Sequence, residues 1–326
     1  MIEEIYPDIY RIEIPLPRNP LKYLNSYLIK GRERNLLIDT GFNQEECRKA
    51  MYEGLKKLEV DLNKTDLFIT HLHADHSGLV AFLATDKSKV YCSGIDAELI
   101  NYGVSGVFLS EMHELLSKQG FPLEELECAI EEHPARKYHL GRKQVFNTVK
   151  ENDTIQVDDY IFKCIATPGH SPGHMCLYEA NKKILFSGDH VLDEITPAIN
   201  IIKWSSNPLR DYLNSLVRID QLETNLTLPA HRKIINNVHK RINEIRQHHD
   251  IRLIEILNIL YKGKMNAYQV ASQMTWEVTY SSWEQFPVTQ KYFATTEAIS
   301  HLNYLCKKNM VRQINNNEEK LFELIN

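Results

Sequence analysis

Residues 66–78, DLFITHLHADHSG, run from a short apolar stretch straight into three histidines and an aspartate within six positions. The apolar part reads as a buried strand, and the cluster starts where that strand ends. Imidazoles and carboxylates at a strand end must find partners or stay in water, because desolvating them unpaired is costly. What the cluster does therefore depends on the partners the rest of the chain offers.

Three further segments offer such partners. They are His170 in TPGHSPGH, Asp189 in FSGDH and His231 in LPAH, each at the end of a predicted strand. Strand ends emerging on one edge of a sheet can converge their side chains, whereas randomly placed histidines cannot. With His71, His73, Asp75 and His76 the candidates number seven. Imidazole and carboxylate suit Zn²⁺, Fe or Mn²⁺, and the lack of a motif cysteine argues against a purely structural thiolate site. Seven ligands exceed what one tetrahedral ion needs. Two divalent ions sharing one carboxylate would use them all and leave open positions for water.

Along the 326 residues, the first part alternates short β-like runs with turns. IYRIEIPL and the hairpin of LNSYLIKGRERNLLIDTG precede an amphipathic helix in QEECRKAMYEGLKKL, with Cys47, Met51, Leu55 and Leu58 at helical spacing. Residues of about 95–142 have helical periodicity and interrupt the alternation, so they read as an insertion. Strands return in DTIQVDDYIFKCIATPGH and HMCLYEANKKILFSGDH, followed by a helix in NPLRDYLNSLVRIDQL and a strand in TNLTLPAH. From Lys233 the pattern becomes three helices and a hairpin, VRQINNNEEKLFELI, with INNN as its turn. The division expected is 1–232 for a catalytic domain and 233–326 for a smaller C-terminal domain.

Net charge is −5, which weighs against a general nucleic-acid binder. From Arg232 onward thirteen Lys and Arg face nine Asp and Glu, so the tail carries +4 and the remainder −9. Six scattered cysteines without a Cys-x-x-Cys pair read as reduced, and the N-terminal segment has no signal-peptide pattern. No apolar run reaches the roughly 20 residues of a membrane span. A cytoplasmic location is expected.

The motifs LIDTG, THLHADHSG, TPGHSPGH, FSGDH and LPAH, in that order over about residues 5–232, resemble the metallo-β-lactamase superfamily of metal-dependent hydrolases. The resemblance implies an α/β, four-layer αββα sandwich with a dinuclear site at one rim. It implies that His71, His73 and His170 hold one ion, that Asp75, His76 and His231 hold the other, and that Asp189 bridges them. Zn is the metal favoured, with Fe or Mn as alternatives. Asp75 doubles as the catalytic residue, orienting a water made acidic by the ions. TPGHSPGH is similar to glyoxalase II, which cleaves thioesters. Where the family has Gly before the last ligand histidine, this chain has Ala230. The tail resembles the winged-helix extension of some superfamily members, including endoribonucleases.

The remaining polar residues invite plainer readings. Asp39 in LIDTG is expected to orient a ligand imidazole or to support a tight turn, and His174 to be structural or supporting. His190 should point away from the metals, and His248–His249 should form a solvated helix face. Tyr102, Phe108, Met112 and Leu116 in the insertion read as packing, although an insertion above a rim could form a lid or a homodimer surface. The leading expectation is a hydrolase of a small-molecule carbonyl ester, a thioester or lactone. The alternatives are a metal-dependent endoribonuclease or phosphodiesterase, and a winged-helix DNA-binding regulator with a metal-sensing domain. The third tail helix carries only Lys307 and Lys308 near its end, so the tail is expected to dock on the catalytic domain rather than read DNA.

Overall fold

The computed structural model describes residues 1–202, 206–316 and 319–325. Strands β1 (Ile2–Tyr6), β2 (Ile9–Pro15), β3 (Tyr23–Ile29) and β4 (Asn35–Ile38) form an antiparallel run. Helix α1 (Glu45–Lys57) then leads to β5 (Thr65–Phe68), and the short helices α2 (Ala74–Ser77) and α3 (Val80–Leu83) lead to β6 (Val90–Ser93). The insertion supplies α4 (Gly94–Gly103), α5 (Val107–Ser117), α6 (Leu123–Glu131) and α7 (Pro134–Lys137) before β7 (Asn147–Val149). Strands β4 to β7 pair in parallel, giving a seven-stranded sheet in the order β1 to β7.

The second sheet contains β8 (Thr154–Val157), β9 (Tyr160–Ala166), β10 (Met175–Glu179), β11 (Ile184–Gly188) and β12 (Leu226–Pro229), in the order β12-β11-β10-β9-β8. Helix α8 (Pro208–Asp220) joins β11 to β12, and that pair is parallel. Two parallel pairs, β4–β5 and β11–β12, thus send the segments after Ile38, Phe68, Gly188 and Pro229 off one rim of the sandwich.

Alternation along the strands assembles the layers. In β10, Met175 and Leu177 join the core between the sheets, while Cys176 and Tyr178 face the helical layer. In the other sheet, Tyr27 and Ile29 face the inter-sheet core, while Leu24 and Leu28 pack towards α1. On α1, Cys47, Met51 and Leu55 are buried at helical spacing, with Glu45 and Glu46 in its first turn and Lys56 and Lys57 in its last, a distribution the helix dipole favours.

The tail forms α9 (Val238–Leu260), α10 (Ala267–Gln273), α11 (Val288–Lys307) and the antiparallel pair β13 (Val311–Asn316) and β14 (Glu319–Leu324). Helix α11 starts earlier than its sequence periodicity suggests. Ile314–Asn316 of the expected INNN turn belong to β13, and Asn317 lies outside the described residues. Helix α9 has two roles: Val238, Ile242 and Ile245 pack against the second sheet, while Ile256, Ile259 and Leu260 belong to another core. That core is built jointly. Leu109, Met112 and Leu116 of α5 and Leu126 and Ile130 of α6 share it with Val270 of α10 and Ala298, Leu302 and Leu305 of α11. A nearly buried Lys291 also pairs with Glu125 across this contact, at 2.8 Å.

The tail therefore docks on the insertion, and the apolar faces of α5 and α6 are used within the chain. The expectation of a solvated His248–His249 face is corrected. His249 is fully buried, with Nδ1 3.1 Å from His301 Nε2 and its ring against Tyr212, and His248 is partly buried. The reading of this stretch of α9 as a solvated face fails because the helix is covered on two sides.

Candidate metal centre

At the rim, Asp39 follows β4 in a left-handed conformation (φ 57°) that turns its carboxylate towards the segment after β5. Its Oδ1 accepts the Thr70 N–H at 2.9 Å, and its Oδ2 accepts Thr70 Oγ1 and His76 Nδ1, both at 2.8 Å. Both roles expected of Asp39 are present: it supports a turn and orients an imidazole. Because Thr70 gives its hydroxyl proton to Asp39, its oxygen is free to accept from His71 Nδ1, 3.1 Å away. His170 Nδ1 donates to the Ala198 carbonyl and His231 Nδ1 to the Tyr23 carbonyl, each at 2.8 Å. A carbonyl can only accept, so these bonds fix the tautomers and leave Nε2 of His71, His76, His170 and His231 unprotonated in the neutral rings.

Those nitrogens converge. His71 Nε2 lies 2.9 Å and His170 Nε2 3.0 Å from His73 Nδ1. On the other side, His231 Nε2 is 3.3 Å from Asp75 Oδ2, and His76 Nε2 is 3.8 Å from it. Asp189 stands between the two groups. Its Oδ2 is 3.5 Å from His170 Nε2, and its Oδ1 is 3.6 and 3.4 Å from Nε2 of His76 and His231. All seven residues predicted from the sequence therefore meet at one place.

The electrostatics differ between the two groups. Burial and the crowding of imidazoles hold His71 well below its ordinary pKa and His73 at about 3, and burial also lowers His170. Burial opposes charge on His76 as well, but the Asp39, Asp189 and Asp75 carboxylates outweigh it and raise His76 well above its usual value. Asp189 and Asp75 raise His231 in the same way. The facing imidazoles in turn outweigh burial at the acids, bringing Asp75 to about 2 and Asp189 well below the carboxylate range.

These residues fit divalent metal ions. His71 Nε2 and His170 Nε2 both face His73 Nδ1, and that one ring nitrogen carries at most one proton, so the three atoms cannot all satisfy one another. His76 Nε2, His231 Nε2 and Asp189 Oδ1 are buried without a hydrogen-bond partner among the described residues. A cation in each group resolves both problems, and neutral N and anionic O donors are what Zn²⁺, Fe or Mn²⁺ prefer. His71–His73–His170 and Asp75–His76–His231 each bring their ligand atoms within 4.8 Å of one another, as do His71, His76 and Asp189.

Residues 21–231 match the family model of the metallo-beta-lactamase superfamily. The chain belongs to this superfamily. A Caenorhabditis elegans relative, Beta-lactamase-like protein 2 homolog, is 26% identical over 315 residues, covering 95% of this chain and 88% of that protein. Acyl-coenzyme A thioesterase MBLAC2 of Homo sapiens is 26% identical over 205 residues, covering 61% of this chain and 67% of that protein. Among solved structures, a metallo-beta-lactamase family protein of Thermus thermophilus superimposes with a TM-score of 0.83 at 24% identity. It covers 99% of this chain and 100% of that one, so the fold match extends through the helical insertion and the tail. The chain is a metallo-beta-lactamase superfamily hydrolase with a His/Asp cluster compatible with two metal ions.

Around this superfamily centre, His174 accepts the Asp189 N–H at Nε2 (3.2 Å), and its Nδ1 lies 2.7 Å from Thr167 Oγ1. It therefore supports the aspartate's backbone, within the reading expected of it. His190 is fully buried against Tyr212, and its two ring nitrogens lack hydrogen bonds among the described residues. A cavity of about 570 Å³ in the insertion is lined by Leu109, His113, Ile130 and Arg136 among others, and by none of the seven site residues.

Sequence reasoning missed Asp96. Its buried carboxylate touches both segments that carry His71, His73 and His170: Leu72 N at 2.9 Å, Ser171 Oγ at 2.6 Å and Gly173 N at 2.8 Å. Burial lifts its pKa to about 6 against these three donors. The strand-end rule that selects the other segments also points here, because β6 ends three residues earlier, at Ser93.

Proposed function

We propose that this superfamily member hydrolyses a carbonyl ester of a small molecule, a thioester ahead of a lactone. The carrying observation is the position of Asp189, whose two oxygens face different ligand groups. On that basis His71, His73 and His170 would hold one ion, Asp75, His76 and His231 a second, and Asp189 both. Zn²⁺ is the ion we favour for this N/O donor set. When bound, such a pair lowers the pKa of a water towards neutrality and polarises a carbonyl oxygen.

The chain's own residues prepare that chemistry. Asp39 and Thr70 fix the rings of His76 and His71, while the Ala198 and Tyr23 carbonyls fix those of His170 and His231. Asp75 Oδ2 faces His231, and the carboxylate would also orient the attacking water. Support for a thioester comes from the TPGHSPGH segment, similar to glyoxalase II, and from the human relative whose name is acyl-coenzyme A thioesterase.

We read α9 to α11 with β13 and β14 as a winged-helix-like domain used for packing. Helix α11, the element that would enter a DNA groove, is buried along most of its length, and only its end exposes Lys307 and Lys308. This weighs against the endoribonuclease and DNA-regulator alternatives. The six unpaired cysteines, four of them buried, favour a cytoplasmic setting, and no helix among the described residues is long and apolar enough to cross a membrane.

The test is a substrate panel with metal-loaded protein: acyl-coenzyme A and acyl-pantetheine thioesters, acyl-homoserine lactones, bis-p-nitrophenyl phosphate and single-stranded RNA. Thiol release from the thioesters is expected to be the fastest reaction. Cleavage of phosphodiester or RNA with thioesters and lactones untouched would refute the reading.

A further inference from the structure

We propose that Asp96 is a positioning residue that clamps the two ligand-bearing loops together and thereby sets the metal affinity of the His71–His73–His170 group. The proposal rests on the ligand assignment made above and adds a residue outside it.

The geometry is specific. Leu72, whose N–H Asp96 Oδ2 accepts at 2.9 Å, lies between His71 and His73 in the chain. Ser171, whose hydroxyl the same oxygen accepts at 2.6 Å, directly follows His170, and Gly173 donates to Oδ1 at 2.8 Å. The first loop leaves β5 of the seven-stranded sheet, and the second joins β9 to β10 in the other sheet. One carboxylate thus ties the two sheets together where His73 Nδ1 and His170 Nε2 must stay 3.0 Å apart.

The clamp is itself fixed. Ser93 Oγ accepts the Asp96 N–H at 3.2 Å and caps α4, so the carboxylate is held in the helix's first turn. Gly173 leaves no space for a side chain. A Cβ there would sit 2.2 Å from Ser93 Oγ and 2.6 Å from Asp96 Oδ1. Three donors converging on two oxygens in a dry site need an acceptor-only group. An asparagine would present its NH₂ to at least one of them.

Asp39 bonds His76 of the other group directly and reaches His71 only through Thr70 Oγ1, whereas Asp96 touches only the segments of the first group. Groups that orient metal ligands typically contribute 10- to 100-fold in metal affinity. The two acids should therefore separate in a binding experiment.

Chelator-stripped full-length protein is titrated with Zn²⁺ in competition with a chromophoric chelator. Wild type is expected to take up two equivalents. Asp96→Asn should weaken one equivalent by roughly 10- to 100-fold and leave the other at its wild-type affinity. Adding His170→Ala to Asp96→Asn should cost less than the two single losses combined, because both act on the same ion, whereas adding His231→Ala should be additive. Ser171→Ala removes one donor and should show the same asymmetry at smaller scale, which keeps the test available if Asp96→Asn fails to fold. A folded Asp96→Asn that binds both equivalents normally, or loses both equally, overturns the clamp alone. A wild type that fails to bind two equivalents overturns the ligand assignment, and the clamp with it.

Discussion

The metal rim and the helical half both bury histidines, but they do so to opposite ends. At the rim, the Nδ1–H groups of His71, His76, His170 and His231 are committed to carbonyls and to Thr70 or Asp39, and the freed Nε2 atoms face His73 Nδ1 or carboxylates. In the helical half, His249 Nδ1 pairs with His301 Nε2, and His301 Nδ1 donates to the Glu297 carbonyl. There one imidazole bonds the other and both are buried, although His249 Nε2 has no partner among the described residues. Burial alone therefore does not mark a functional histidine. What marks it is the convergence of several ring nitrogens and carboxylate oxygens on one point, within 4.8 Å of one another.

The largest test of this contrast is Asp189→Ala. Removing the carboxylate that faces both groups should lower hydrolysis by orders of magnitude and reduce bound metal, with the fold retained by circular dichroism. His190→Ala, one residue on and packed against Tyr212, should be far milder in rate. Equal loss of activity in the two variants with unchanged metal content would break the comparison.

In the helical half, Leu302→Ala opens a cavity in the core shared by insertion and tail. Its cost should be about 2–5 kcal/mol in chemical denaturation, with metal stoichiometry of the folded protein unchanged. If Leu302→Ala released metal from still-folded protein, the two regions would be more tightly coupled than the packing shows.

Asp39→Asn comes next. It should weaken by roughly 10- to 100-fold the metal equivalent assigned to His76. Equilibrium dialysis against buffered Zn²⁺ reads this directly.

The smallest expected effect is at His133, whose ring packs on Tyr292 and Phe293 of α11 and whose Nδ1 accepts the Ala135 N–H. Burial lowers its pKa to about 4. A folded-state pKa below the unfolded value of about 6.5 means the unfolded chain takes up the proton first, so stability falls as pH drops from 6.5 towards 4. The contribution should be about 1–2 kcal/mol after allowing for its partial exposure. His133→Asn, which can still cap α7, should show a shallower fall between pH 7 and 5 in urea denaturation. An unchanged slope would rule this histidine out as the source.

The seven candidate ligands at the rim were legible in the sequence because their four segments each follow a strand, one of them with the dense pattern His-x-His-x-Asp-His. Parallel pairing sends the segment with His71–His76 off β5 beside β4, and those with Asp189 and His231 off β11 and β12, whereas His170 follows β9, which is antiparallel to both neighbours. Asp96 also sits just past a strand end, but its role was not legible. Its partners Leu72, Ser171 and Gly173 lie 24, 75 and 77 residues away, and nothing in the sequence near Asp96 names them.

The sequence also could not say that α9 is covered on two sides. Its alternation of apolar and charged residues suits a surface helix, and His249 is buried between Tyr212 of α8 and His301 of α11. The sequence by itself determined the strand-end chemistry, the order of the elements and the donor set, because those depend on neighbours a few residues apart. The tertiary structure alone decided which buried acid supports which ligands and which histidines became core, because desolvation and hydrogen-bond pairing depend on which surfaces meet.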